Sequence, residues 1–322
     1  MAPDDFDLQR YLISRETFID AALYHYLKKD HQVTSLIHQA ICYSVLDGGK
    51  RLRPALTLAV GELFGAKRRA LVPFACAIEL IHCYSLIHDD LPALDNDDLR
   101  RGKLSCHKRF GEAIALLAGD ALLTEAFFIV SDPRLARLLG APLVSKLIRE
   151  VSRASGIRGM IAGQSTEFEL AKRKVTPAAL EDLDRLKTGA LITTAARAGA
   201  IIGRASRKDL DRVTRYAEAL GLAFQITDDI LDAPEVSNHK PNHTDMTNYL
   251  SVAGPARASK RIKTLVAQCL KEMQPYGREA EPLREIARYV ALRTAANAVP
   301  DGKIIRPDQR PRGVKLTERV FA

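Results

Sequence analysis

Two short stretches gather more carboxylates than an apolar setting tolerates. Asp89, Asp90 and Asp95 stand in HDDLPALDNDDLRRG, directly after the apolar run Leu71 to Ile87, so a core-facing helix delivers acids to one of its ends. Carboxylates drawn toward a core need a counter-charge. A hard divalent cation supplies it, and magnesium in particular takes one or two carboxylates, keeps waters and completes its shell with substrate phosphates. Pro92 disfavours helical geometry at the residue before it, which frees Asp95 to return toward Asp89. Alone, this stretch reads equally well as an acidic surface loop. The second cluster, Asp228, Asp229 and Asp232 in FQITDDILDAP, sets Asp228 and Asp232 one turn apart on one helix face. Like charges at that spacing repel, so on the otherwise apolar segment Gly221 to Leu231 they call for a cation or a basic group. Two such clusters suggest metal ions shared between two helices.

Basic residues complete the pattern: Lys50, Arg51 and Arg53 in GGKRLRP, Arg100 and Arg101 after the first cluster, Lys187 in LKTGA, and Lys240. An arginine fork grips a diphosphate with paired donors. Gly48 and Gly49 let backbone approach such an anion, and Pro54 suits the first turn of a helix. Each basic residue taken singly is an ordinary solvated charge; beside two acid clusters they point to a phosphorylated substrate.

The elements that must carry these groups read as helices. Apolar residues recur at three- and four-residue spacing through Glu112 to Val130 and Leu210 to Leu231, with Gly- and Pro-rich breaks at 65–69, 131–133, 172–177, 234–243 and 275–282. The expected fold class is all-α, with ten or so helices. Turn-flanked strands and a GxGxxG fingerprint are missing, which argues against a doubly wound nucleotide-binding fold. Residues 1–296 read as one domain, and 297–322 as a basic C-terminal tail rich in Pro and Gly. Five cysteines without paired spacing suit reduced thiols. The first ten residues hold three aspartates and no apolar stretch, so no secretory signal is expected and the cytoplasm is the expected compartment. Leu71 to Ile87 is interrupted by Glu79 and His82 and falls short of the roughly 20 residues that span a bilayer, which predicts a buried helix and no membrane span. A net charge of +9 fits nucleic acid, an anionic membrane or a phosphorylated substrate. The dispersal of the basic residues among apolar segments and the absence of tryptophan argue against nucleic acid.

The motifs GGKRLRP, ELIHCYSLIHDDLPALDNDDLRRG, GEAIALLAGDALL, GQSTEFE, LKTGALI and GLAFQITDDILD resemble, in order and interval, those of the trans-isoprenyl diphosphate synthases or polyprenyl synthetases, from about Val45 to about Arg293. The resemblance implies a helical barrel around a central cavity, usually a homodimer. It implies that Asp89, Asp90, Asp95, Asp228, Asp229 and Asp232 hold three magnesium ions against an allylic diphosphate, dimethylallyl or geranyl, helped by Arg100, Lys187 and Lys240. Isopentenyl diphosphate is then gripped by Lys50, Arg53, His82 and Arg101, with Arg51 at the edge, while Lys187, Thr188 and Gln225 border the allylic cation. The departing pyrophosphate serves as the base, and no protein nucleophile is required.

Product length in this family depends largely on bulk below the first aspartates. Tyr84, five residues and about 7.5 Å of helix before Asp89, is the expected floor, with Ser85 adding little. The pattern resembles bacterial farnesyl diphosphate synthases; geranylgeranyl or geranyl diphosphate synthases and a non-catalytic partner subunit are the alternatives, and GGKRLRP argues against a terpene cyclase. The sequence departs from the family after the second cluster, where His239 and His243 replace glycines and a later lysine has no counterpart. Glu167 also stands where GQxxD has its aspartate.

Overall fold

A computed structural model describes residues 6–28, 35–46, 48–170, 173–232 and 248–296. Its elements run α1 (Leu8–Lys28), α2 (Leu36–Leu46), α3 (Leu52–Leu63) and α4 (Arg68–Asp89), then a hairpin of β1 (Leu99–Arg100) and β2 (Lys103–Leu104). There follow α5 (Cys106–Phe110), α6 (Glu112–Val130), α7 (Pro133–Leu139), α8 (Ala141–Ser155), α9 (Met160–Leu170) and α10 (Pro177–Asp184). A π turn (Arg185–Gly189) leads into α11 (Ala190–Ile202), α12 (Arg207–Leu231), α13 (Tyr249–Ala253), α14 (Pro255–Met273) and α15 (Glu281–Ala296). The all-α expectation holds, with helices more numerous than expected and the two-residue strands as the strand structure among the described residues.

The predicted breaks at 65–69, 131–133, 172–177 and 275–282 coincide with helix ends for local reasons, while 234–243 lies outside the described residues. Asp132 caps α7 by accepting from the Arg134 N–H, Thr176 caps α10, and Ser206 caps α12. Pro133, Pro177 and Pro255 sit in first turns, where a missing N–H costs nothing. The hairpin escapes sequence reading because its strands are too short for alternation to show. Its turn is set by Arg101 (φ 55°) and Gly102 (φ 75°), two consecutive left-handed residues that match a tight hairpin.

Two apolar clusters form the core. One surrounds α4 with residues of α1, α2, α6 and α8; the other surrounds α12 with residues of α3, α14 and α15. Helix α11 joins them, giving Leu191, Ala195 and Ala198 to the first and Ile192, Ala196 and Ala200 to the second. Both α4 and α6 are long and apolar enough to cross a membrane. The buried side chains of α4 lie all round its circumference, the mark of a central core helix. Helix α6 instead leaves Leu116, Leu117 and Phe128 exposed.

Candidate active site

The first aspartate cluster forms where α4 ends. Asp89 closes the helix, Asp90 caps it, and the chain turns through Pro92 so that the Asp95 N–H donates to the Asp89 carbonyl at 2.9 Å. The predicted return of Asp95 is therefore a backbone hydrogen bond. Asp90 is buried and takes the Arg100 Nε at 2.9 Å, while Arg100 also reaches Asp97 at 3.1 Å. Asp89 has no such guanidinium among the described residues. Burial pushes its carboxyl up to about 7, with Asp95 and Glu167 adding to the rise and Lys187 opposing it.

The second cluster lies in the last turn of α12. Asp228 pairs with Arg293 of α15 at 2.7 Å, and burial raises its carboxyl against that attraction. Asp229 takes the Gln225 Nε2 at 2.9 Å and the Tyr249 backbone N–H at 2.8 Å, and Gln225 Oε1 in turn accepts from the Thr188 hydroxyl at 2.8 Å. Asp232 caps α12 one turn below Asp228, as the spacing requires, and is exposed.

The π turn links the two clusters. Its Lys187 Nζ donates to Glu167 Oε2 at 2.5 Å, and Glu167 is itself braced by Gln164 at 3.0 Å. Burial opposes the charge on Lys187, but Glu167, Asp89 and Asp95 hold the ammonium above its ordinary value. Thr188, the next residue, faces the second cluster through Gln225. The turn packs tightly against α9: a β-carbon on Gly163 would lie 2.4 Å from the Lys187 backbone nitrogen, so only glycine fits there.

The basic side of the site is equally ordered. Lys50 and Arg53 flank the start of α3, and both lie in the field of Asp228. Burial and the guanidinium of Arg293 lower the Lys50 ammonium, while Asp228 and Asp232 counter them. Burial and the surrounding Arg53, Arg101, Arg51 and Arg100 hold the His82 imidazole well below its ordinary value, so it is neutral at neutral pH. Arg51 corrects the sequence reading. It is 2% exposed, its Nη1 donates to Glu79 at 2.8 Å and its Nε to Asp20 at 2.7 Å, so it belongs to the scaffold and not to the edge of a ligand site. Lys240 lies outside the described residues, as do His239, His243 and the tail 297–322.

Tyr84 is buried, stacks edge-on against His88 at 5.7 Å, and its hydroxyl has no hydrogen-bond partner among the described residues. Burial and nearby Asp89 push that hydroxyl up to about 12. The Ser85 hydroxyl turns back to the His82 carbonyl at 2.9 Å.

Two groups in this region were not singled out from the sequence. Arg293 lies over the Phe224 ring at 4.9 Å as well as on Asp228. Asp184, immediately before the π turn, is 7% exposed; burial, then Asp229 and Glu167, push it up to about 8. Spacing could have found both. Arg293 follows Ile286 and Val290 on the buried face of α15, and Asp184 follows Leu180 by one turn.

Among the described residues, no three carboxylate, imidazole or thiol groups converge closely enough to hold an ion alone. The donor chemistry nevertheless fits magnesium: hard carboxylates at two helix ends, one lacking a paired guanidinium, leave coordination positions for waters and a diphosphate. This makes a sharp prediction for the metal-free protein. A carboxyl raised in the folded state gives stability that is fully present below its unfolded value, about 4, and is lost as pH climbs from there to the folded value. Of the stability that Asp89 near 7 and Asp184 near 8 lose from about pH 4 upward, about 2 kcal/mol together goes between pH 7 and 9, most of it by pH 8. His82, held low, titrates below this window. Thermal unfolding in chelator at pH 7, 8 and 9 is expected to show a midpoint that falls chiefly between pH 7 and 8 and levels off by 9, and which magnesium with pyrophosphate raises; a midpoint that is flat or rising from pH 7 to 8 contradicts the buried acids.

A helical protein whose two aspartate-tipped helices face a row of ammonium and guanidinium groups is built to hold a diphosphate through divalent cations. Residues 34–274 match the family model described as Polyprenyl synthetase, and the chain belongs to that family of prenyltransferases. It is 43% identical over 261 residues to the farnesyl diphosphate synthase of Escherichia coli (strain K12), covering 78% of this chain and 87% of that one. It is 36% identical over 301 residues to the heterodimeric geranylgeranyl pyrophosphate synthase large subunit 1, chloroplastic, of Arabidopsis thaliana, covering 90% and 81%. Among solved structures, an FPP/GFPP synthase from Zymomonas mobilis superposes with a TM-score of 0.79 at 38% identity, covering 88% of this chain and 98% of that one. A geranyltransferase from Legionella pneumophila gives 0.81 at 33% identity, covering 89% and 98%.

Proposed function

We propose that the protein condenses isopentenyl diphosphate with an allylic diphosphate, dimethylallyl or geranyl, and releases farnesyl diphosphate. The observation that carries this reading is the π turn, whose Lys187 reaches toward Asp89 and Asp95 while Thr188 is tied through Gln225 to Asp229. A substrate held between the clusters has its carbon–oxygen bond beside that turn.

Asp89, Asp90 and Asp95 with Asp228, Asp229 and Asp232 would hold magnesium, three ions per site, which would supply positive charge to offset that developing on a departing pyrophosphate. Arg100 and Lys187, with Lys240, bind the allylic diphosphate; Lys50, Arg53, His82 and Arg101 bind isopentenyl diphosphate. The Thr188 hydroxyl and the Gln225 amide border the allylic cation as dipoles fixed before the reaction, so they need not reorganise as charge forms. The double bond of isopentenyl diphosphate attacks that cation, and the pyrophosphate removes the proton. Tyr84 closes the cavity floor at fifteen carbons. His82, neutral in the ligand-free protein, has one ring N–H to offer the diphosphate.

Leu117 and Phe128, eleven residues apart and so on one face of α6, are 50% and 67% exposed, which supports a homodimer formed across that helix. The reading is tested by incubating purified protein with magnesium, isopentenyl diphosphate and each allylic diphosphate and separating the products. Farnesyl diphosphate is expected. Geranylgeranyl or geranyl diphosphate would revise the length, and no product from the protein alone would favour a non-catalytic subunit.

A further inference from the structure

Of the three basic residues in GGKRLRP, Arg51 is the one that the proposed diphosphate grip does not use, and it is the most constrained. Between α2 and α3 the chain passes through Gly48 (φ 101°), Gly49 (φ 137°) and then Arg51 (φ 44°). A side chain in the left-handed region is disfavoured, and such a residue persists where its surroundings over-determine it. Glycine would adopt this conformation freely. The arginine has another use: Nε donates to Asp20 of α1 at 2.7 Å, Nη1 to Glu79 of α4 at 2.8 Å, and Nη2 to the Val45 carbonyl near the end of α2. With all three nitrogens engaged, the turn is fastened to three helices.

Around this turn stand the groups proposed to grip isopentenyl diphosphate. Lys50 and Arg53 flank Arg51, Arg101 donates to the Gly48 carbonyl, and a β-carbon on Gly49 would lie 2.9 Å from the Arg101 guanidinium. Of the allylic groups, Lys187 stands on the π turn and Arg100 on the hairpin strand before Arg101, so neither is on the turn that Arg51 fastens.

We infer that Arg51 is a positioning residue: its ion triad with Asp20 and Glu79 holds the left-handed turn that sets where Lys50 and Arg53 present their charges to isopentenyl diphosphate. The inference rests on the function proposed above.

The test uses Asp20→Asn, which loosens the triad at its rim, where the carboxylate is 24% exposed, together with Arg51→Lys, which keeps the charge and loses the fork. Calorimetric titration with isopentenyl diphosphate in chelator gives binding without catalysis, and steady-state kinetics gives KM for each substrate. Both variants are expected to weaken isopentenyl diphosphate binding and raise its KM by about tenfold, leaving the allylic KM and kcat within about twofold. If Arg51→Lys fails to fold, Asp20→Asn decides. Unchanged binding by folded Asp20→Asn, or an equal rise in both KM values, overturns the inference while the proposed function stands. Failure of the wild type to bind isopentenyl diphosphate overturns both.

Discussion

Replacing Asp89 with alanine is expected to lower kcat/KM by about a thousandfold, equivalent to about 4 kcal/mol of transition-state stabilisation. Asp90 and Asp228 each have an arginine partner, whereas Asp89 carries its burial without one among the described residues, and its carboxyl rises to about 7 as a result. A divalent ion there gains the most, because it replaces a proton held by desolvation and not by an ion pair. Steady-state kinetics at saturating magnesium measures the loss, and the variant should also shed the smaller part of the fall in melting temperature between pH 7 and 9, the part due to Asp184 remaining. Activity within tenfold of wild type would remove Asp89 from the metal-binding set.

Tyr84→Ala is expected to change what is made more than how fast. The ring is buried and meets His88 edge-on one turn along the same helix, so on the proposed reading its removal opens space beneath the growing chain, and twenty-carbon or longer products should replace farnesyl diphosphate. Truncating a buried aromatic costs about 3–5 kcal/mol, which the folded enzyme must survive for the result to be read. Tyr84→Phe is the control. The hydroxyl makes no hydrogen bond among the described residues, so phenylalanine should keep both product length and melting temperature. Product chromatography of the three proteins decides, and an unchanged product from the alanine variant eliminates the floor.

The helices and the aspartates were legible because both signals are periodic. Apolar spacing of three and four marks α6 and α12, and acids at the ends of apolar runs imply a counter-charge. Arg51 was misjudged because a stretch with positive φ angles has no period from which to read the direction of a side chain. Its partners, Asp20 and Glu79, are 31 and 28 residues away and belong to other helices. Arg293 is similar: it meets Asp228 only because α15 packs beside α12, although its place on an apolar face was visible. The hairpin was missed because two-residue strands carry no alternation, yet its turn is what presents Arg100 and Arg101.

The wide turn at Arg185–Gly189 also governs how α10 and α11 meet the core. Leu180 and Ile192 belong to the same apolar cluster but are twelve residues apart, which an unbroken α-helix would place about 120° from each other. One residue accommodated in the bulge reduces the effective separation to eleven, and the two side chains return to within about 20° of a common direction. Winding the same residues into ordinary α-helix would aim Leu180 and Ile192 at different partners, whereas deleting one position would keep them in phase but remove the bulge. The irregularity that exposes Lys187 and Thr188 is thus the same one that keeps the two halves of the rod in phase.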